Sequence, residues 1–139
     1  MPETMKRGYK ALLAEAKAEI EELSVAEAMK FQGDPDVVIV DLRDPRELEI
    51  EGRIPGSFHC PRGMLEFWVD PESPYYKPVF GEGKKYVFHC AAGWRSALAT
   101  KTVQDMGLGR VAHIDGGFKA WKEAGGPVES WAPKPPKTG

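Results

Sequence analysis

At 139 residues the chain suits one domain and would be cramped as two. With 42% hydrophobic and 29% charged residues it excludes wholesale disorder, collagen-like repeats and a disulfide-rich mini-scaffold. A formal net charge of -2 leaves no basic excess for a general nucleic-acid binder, so no nucleic-acid partner is expected.

No apolar run approaches the roughly 20 residues of a membrane span. The longest candidates are short, such as Val37-Val38-Ile39-Val40. Glu15, Glu19, Glu21 and Glu22 sit where the apolar core of a secretory signal would have to be. The expectation is a cytoplasmic chain with no membrane contact. Its two cysteines are too few for a disulfide framework. The absence of Asn, with only two Gln, fits a heat-adapted source.

Residues 1–7 are polar and expected to fray. Tyr9, Leu12, Leu13, Ala16, Ile20 and Leu23 then recur at helical spacing, which predicts an amphipathic helix. Ser24 followed by Glu27 forms a capping box that opens a short helix to about Phe31. Gly33-Asp34-Pro35-Asp36 is a turn, and the β-branched run Val37 to Asp41 a buried strand. Asp44-Pro45-Arg46-Glu47 is a second capping box, with Pro at the first helical position; its helix ends near Gly52.

Ser57 to Cys60 predicts a short strand, and residues 61–85 a long, partly helical excursion. Tyr86 to His89 is the next buried strand. Ser96 to Met106 is helical with Gly107 as its stop, and Val111 to Ile114 is a further strand. Gly116-Gly117 precedes a short helix carrying Phe118 and Trp121. The Pro-rich residues after Gly126 are expected to be extended. Strands alternating with helices predict an α/β fold with a mainly parallel sheet and helices on both faces. Such sheets bind ligands beyond the carboxyl ends of their strands.

Cys90 directly follows a predicted strand, and Ala91, Ala92, Gly93, Trp94, Arg95 and Ser96 lead from it into a helix. A loop entering a helix aims backbone N–H groups inward, and the helix start adds roughly half a positive charge. This makes an anion nest in which a cysteine would ionise more readily than a free thiol. The small residues Ala91, Ala92 and Gly93 let the backbone curl around the sulfur. Arg95 adds a cation near the end of the loop. The alternative is an inert core cysteine at a strand end, which has no need of this loop.

The loop CAAGWRS resembles the Cys-x-x-Gly-x-Arg-Ser loop of the rhodanese family of sulfurtransferases. Two further stretches match that family's flanking signatures: VIVDLRDPRELEIEGRIPGS at residues 38–57 and HIDGGFKAW at residues 113–121. The resemblance spans about Val37 to Trp121 and implies a single rhodanese-like domain at residues 23–126. An N-terminal amphipathic helical extension (1–22) would precede it, and a Pro-rich C-terminal tail (127–139) would follow.

It further implies that Cys90 is the nucleophile, taking sulfane sulfur from a donor such as thiosulfate or a persulfide. A Cys90 persulfide would then pass sulfur to cyanide or a thiol. The loop residues Ala91 to Ser96 would bind substrate and stabilise the persulfide. No metal and no organic cofactor are implied. The related phosphatases and arsenate reductases of this fold carry one more residue between Cys and Arg than the four found here, which disfavours phosphatase chemistry.

Thiosulfate-preferring members often carry basic residues directly after the cysteine, where this chain has Ala91 and Ala92. Arg62 and Trp94 are the candidates to compensate. Trp94 could instead pack on residues 64–68. Arg53 stands where the family usually has His, and Ser57 where it has Ala; both changes are expected to be structural. Asp41 and Arg43, at a strand's active end, read as structural support rather than as an acid–base pair. His89 and His113 read as core or edge residues satisfied by hydrogen bonds.

The repeated Phe-His-Cys at 58–60 and 88–90 suggests zinc. Yet adjacent His and Cys on a strand point to opposite faces, so zinc is not expected. Cys60 reads as a half-buried thiol, and a regulatory Cys60–Cys90 disulfide is a further possibility. A second functional class stays open: a persulfide carrier or rhodanese-like binding module that delivers sulfur to a protein partner.

Overall fold

The run Val37–Asp41 pairs on both sides within a parallel sheet in the computed structural model, which describes residues 3–133. In chain order the elements are α1 (Tyr9–Glu19), β1 (Glu21–Leu23), α2 (Val25–Met29), β2 (Val37–Asp41), α3 (Pro45–Glu51) and β3 (Phe58–His59). Then follow α4 (Leu65–Val69), β4 (Lys85–His89), α5 (Trp94–Met106), β5 (Arg110–Ile114) and α6 (Gly117–Glu123). Short 3-10 turns at Arg62–Met64 and Pro78–Gly81 complete the excursion between β3 and β4. The sheet order is β1-β5-β4-β2-β3 and every pairing within it is parallel.

Side chains alternate across this sheet and divide the core in two. Val40, Tyr86, Phe88 and Val111 face α4 and α5, packing with Leu65, Val69, Ala99 and Val103. Ile39, Val87 and Ala112 face the other way, against Ala28 of α2 and Phe118 and Trp121 of α6. Helices therefore cover both faces, as expected. Both capping boxes form: Ser24 Oγ accepts from Glu27 N, and the Asp44 carboxylate accepts from Arg46 N and Glu47 N. Among the described residues no helix is long and apolar enough to cross a membrane.

The N-terminal segment departs from the expectation of a helical extension over 1–22. The helix stops at Glu19, Ile20 turns extended, and Glu21–Leu23 pair with Ala112–Ile114 of β5. Ile20 and Leu23 continue the helical spacing, but they pack on opposite sides of the sheet. Ile20 joins Leu13 and Ala97 between α1 and α5, and Leu23 joins the α2–α6 cluster. The segment is thus part of the domain's layers.

The tail is also tied down as far as it is described. Arg53 and Glu129 exchange two backbone hydrogen bonds (2.8 and 2.9 Å) and a side-chain ion pair (2.8 Å). Trp121 Nε1 donates to Pro127 O at 2.8 Å. Arg53 is thereby a clamp for the tail, and residues 134–139 lie outside the described residues.

The carboxyl end of β2 is held by an ion pair with no solvent exposure on either side chain. Arg43 Nε and Nη2 donate to the two Asp41 oxygens at 3.0 and 2.9 Å. Arg43 also donates to Gly52 O at 2.8 Å and lies 4.0 Å over the Phe118 ring. It therefore ties β2 to the end of α3 and to α6. Burial pushes the Asp41 carboxyl up, but His89 beside it and the Arg43 fork on both its oxygens together outweigh this and hold it below its ordinary value. That contribution is present at neutral pH and lost as pH falls below the carboxylate range. Arg43→Met, which leaves Asp41 buried and unpaired, is expected to lower stability by about 3–5 kcal/mol in urea unfolding at pH 7. A loss under 1 kcal/mol would contradict this role.

Candidate active site

Cys90 directly follows β4, and its side chain is buried under the loop that follows. Its sulfur accepts backbone N–H groups from Gly93 at 3.1 Å and Ser96 at 3.4 Å, and Ser96 Oγ lies 3.6 Å away. Gly93 adopts φ +103°, the left-handed conformation that lets the loop turn its amides toward the sulfur. Two backbone donors and the start of a 13-residue helix suit an anion at this sulfur.

The loop is gripped from outside by α6. Phe118 N donates to Cys90 O at 2.8 Å, and Lys119 N to Ala91 O at 3.0 Å. These would otherwise be unpaired amides of a helix start. The approach is so close that a Cβ on Gly117 would sit 2.5 Å from Cys90 O. The Gly116-Gly117 pair therefore serves backbone contact.

Arg95 does not reach freely into the loop. Its guanidinium makes two hydrogen bonds of 2.9 Å to the Glu47 carboxylate. These bonds, chiefly, hold the Glu47 carboxyl below and Arg95 above their ordinary values. Glu47 also accepts from Asp44 N at 3.0 Å. The residue read only as half of a capping box thus joins the starts of α3 and α5. Trp94 is more than half exposed, and its ring meets Tyr9 of α1 at 5.1 Å instead of packing on residues 64–68.

Arg62 is corrected. It donates to Glu66 at 2.9 Å, one turn along, and lines a groove with Leu12, Leu98 and Lys101 between α1 and α5. Its backbone N–H donates to Leu42 O, and its side chain is engaged by its i,i+4 partner Glu66. Next to the loop, a cleft of about 350 Å³ is lined by Ala91 and Ala92, Glu51 of α3, and Phe118, Lys119, Lys122 and Glu123 of α6. The two lysines were missed because their placement depends on α6 docking against the loop.

His113 and Glu22 were also missed as site residues. His113 Nδ1 lies 2.9 Å from Ser96 Oγ, and its Nε2 lies 2.8 Å from Glu22 Oε2. His89 is fully buried, and burial keeps its imidazole below its ordinary value and neutral. His59 Nε2 bonds to Arg43 O at 2.7 Å. Among the described residues no group of three His, Cys, Asp or Glu forms a metal cluster. Cys60 is fully buried, not half-buried, in the cluster beneath α4 and α5, and burial pushes its thiol up to about 12. Both cysteines are free thiols.

Known proteins agree with this architecture. The family model described as the rhodanese-like domain matches residues 24–124, and the chain belongs to the rhodanese-like sulfurtransferase family. A solved structure from Rhodopseudomonas palustris, described as a protein of unknown function and possible tyrosine phosphatase, is 64% identical. It superposes with a TM-score of 0.90 over 93% of this chain and 99% of that one. The polysulfide-sulfur transferase homodimer of Wolinella succinogenes is 31% identical, with a TM-score of 0.67 over 89% of this chain and 88% of that one.

The mouse thiosulfate sulfurtransferase/rhodanese-like domain-containing protein 3 is 31% identical over 91 residues, 62% of this chain. The match spans 58% of that mouse protein's own length.

In the folded, reduced protein at pH 8, iodoacetamide is expected to alkylate Cys90 and leave Cys60 free until urea is added. Both thiols are buried, so the expected difference rests on ionisation: burial pushes the Cys60 thiol up to about 12 while loop amides favour a Cys90 thiolate, and native labelling of Cys60 as fast as Cys90 would contradict it. Gly117→Ala should destabilise the fold by about 1–3 kcal/mol, through strain at φ +61° and the clash with Cys90 O. An unchanged urea midpoint would show that α6 does not hold the loop.

Proposed function

We propose that the protein is a rhodanese-type sulfurtransferase with Cys90 as its sulfur-carrying nucleophile. The observation that supports this most is the pair of backbone N–H groups, from Gly93 and Ser96, directed at the Cys90 sulfur. The thiolate attacks the sulfane sulfur of a donor such as thiosulfate. A new S–S bond forms to Cys90, the donor's S–S bond breaks, and sulfite leaves with the electron pair. A thiol or cyanide then attacks the outer sulfur, and Cys90 departs as the thiolate. Loop amides stabilise the negative charge in both resting and persulfide forms. A reducing cytoplasmic setting would keep both thiols available for this cycle.

Ala91 and Ala92 bring no charge to an anionic donor. In this reading Lys119 and Lys122, on the far wall of the same cleft, supply it. Replacing both with Gln should raise KM for thiosulfate about fivefold with kcat nearly unchanged. An unaltered KM would show that the donor's charge is met elsewhere. The same alanines favour a second reading, a persulfide carrier whose acceptor is a protein.

Phosphatase chemistry is disfavoured by the four-residue spacing from Cys90 to Arg95 and by the engagement of Arg95 with Glu47. The test is intact mass after thiosulfate, followed by cyanide, with Cys90→Ala alongside. A gain of one sulfur in the parent alone, with steady thiocyanate release, is expected. Loading without turnover would favour the carrier. No loading from thiosulfate or a persulfide, or turnover of p-nitrophenyl phosphate instead, would overturn the sulfurtransferase reading.

A further inference from the structure

A continuous chain of hydrogen-bonding groups runs from the protein surface to the nucleophile. Glu22 Oε2 lies 2.8 Å from His113 Nε2, His113 Nδ1 lies 2.9 Å from Ser96 Oγ, and Ser96 Oγ lies 3.6 Å from Cys90 Sγ. Ser96 and His113 are fully buried, while the Glu22 side chain remains 31% exposed. Parallel pairing of β1 with β5 sets Glu22 in register with His113. Ser96 is in the first turn of α5, directly after the loop.

The direction of this chain follows from its carboxylate end. Glu22 can only accept, so His113 Nε2 carries hydrogen and donates to it. Nδ1 is then a lone pair that accepts from the Ser96 hydroxyl, and Ser96 Oγ accepts from the Cys90 thiol. Every group is satisfied. The chain is equally satisfied after the thiol proton has left, with each link reversed between His113 and Cys90. A buried histidine that merely filled a core would not need a carboxylate from another strand.

We propose that Glu22, His113 and Ser96 form a proton relay that carries the Cys90 thiol proton to His113 and holds it there beside Glu22. The Cys90 S–H bond breaks as a Ser96 O–H bond forms. The original Ser96 O–H bond breaks as His113 Nδ1–H forms. Sulfur keeps its electron pair, no group is oxidised or reduced, and the imidazolium rests against the Glu22 carboxylate. Ser96 touches the reacting sulfur, whereas His113 and Glu22 are positioning residues. Glu22 lies ahead of residues 24–124, so the segment preceding the matched domain completes the site. The relay's purpose in sulfur transfer rests on the proposed role of Cys90; its operation does not.

Several charged groups on the surrounding elements are engaged in pairs of their own, while Lys119 and Lys122 of α6 line the cleft beside Ala91 and Ala92. Lys17 of α1 meets Asp115 after β5 at 3.9 Å, and Lys85 of β4 meets Glu21 of β1 at 2.8 Å. Arg95 meets Glu47, and Asp41 meets Arg43 beside the neutral His89. Glu22 is the carboxylate bonded to His113.

The test uses the full, reduced chain. Iodoacetamide alkylation of Cys90 is followed from pH 5 to 9 in the parent, Glu22→Gln, Glu22→Asp and His113→Asn. Glu21→Gln serves as the control on the same strand. Thermal unfolding confirms that each variant is folded, and 15N spectra of the histidines report the His113 tautomer. Glu22→Gln should slow alkylation at pH 7 about tenfold and move its rise to higher pH. Glu22→Asp should recover most of the rate, and Glu21→Gln should match the parent.

An unmoved profile in folded Glu22→Gln, or a neutral His113 protonated at Nδ1, would overturn the relay. If His113→Asn does not fold, the variants at the partly exposed Glu22 still decide the matter. Thiosulfate loading is read in parallel. A moved profile without loading in the parent keeps the relay and removes the sulfurtransferase reading; loading with an unmoved profile does the reverse.

Discussion

The carbonyls of Cys90 and Ala91 are turned outward to meet the first amides of α6, and this grip sets the rest of the site. With these two carbonyls satisfied on the outside, the loop presents its own N–H groups inward, toward the sulfur. Helix starts leave unpaired donors that must find acceptors. Here two helix starts share one loop: α6 caps its back, and α5 begins from its front. Gly117 permits the close approach and Gly93 the turn, because both hold positive φ that side-chain-bearing residues rarely adopt.

Charges at the carboxyl edge of the sheet then fix the neighbouring elements against that loop. Arg43 joins β2, the end of α3 and the face of Phe118, while Glu47 joins the starts of α3 and α5. Neither arginine is spare for a ligand, which separates this site from one built to grasp a tetrahedral oxyanion. The cationic side chains lining the cleft belong to α6, and the carboxylate bonded to His113 belongs to β1, contributed by the N-terminal segment. The site is therefore assembled from both ends of the chain around a loop in its middle.

Much of this was legible in the sequence because it is local. Val37 to Asp41 could only be a strand, two capping boxes announced two helices, and a cysteine between a strand and a small-residue loop announced the nest. What was missed depends on packing partners distant along the chain. Ile20 and Leu23 keep helical spacing, yet they serve different layers once Glu21–Leu23 adds to the sheet edge. Arg62 had the right charge but is engaged by its i,i+4 partner Glu66. His113 looked like a satisfied core histidine, and it is one. Its partners, Glu22 and Ser96, lie 91 and 17 residues away in sequence.

Backbone amides of Gly93 and Ser96 point at the Cys90 sulfur, an arrangement suited to a charged sulfur there. A high-resolution crystal structure of the protein after loading with sulfane sulfur tests this most directly. The expected result is a second sulfur bonded to Cys90 Sγ and within hydrogen-bonding reach of the loop N–H groups, with α6 still seated on the carbonyls of Cys90 and Ala91. An extra sulfur on Cys60, or one on Cys90 directed away from the loop amides, would contradict it.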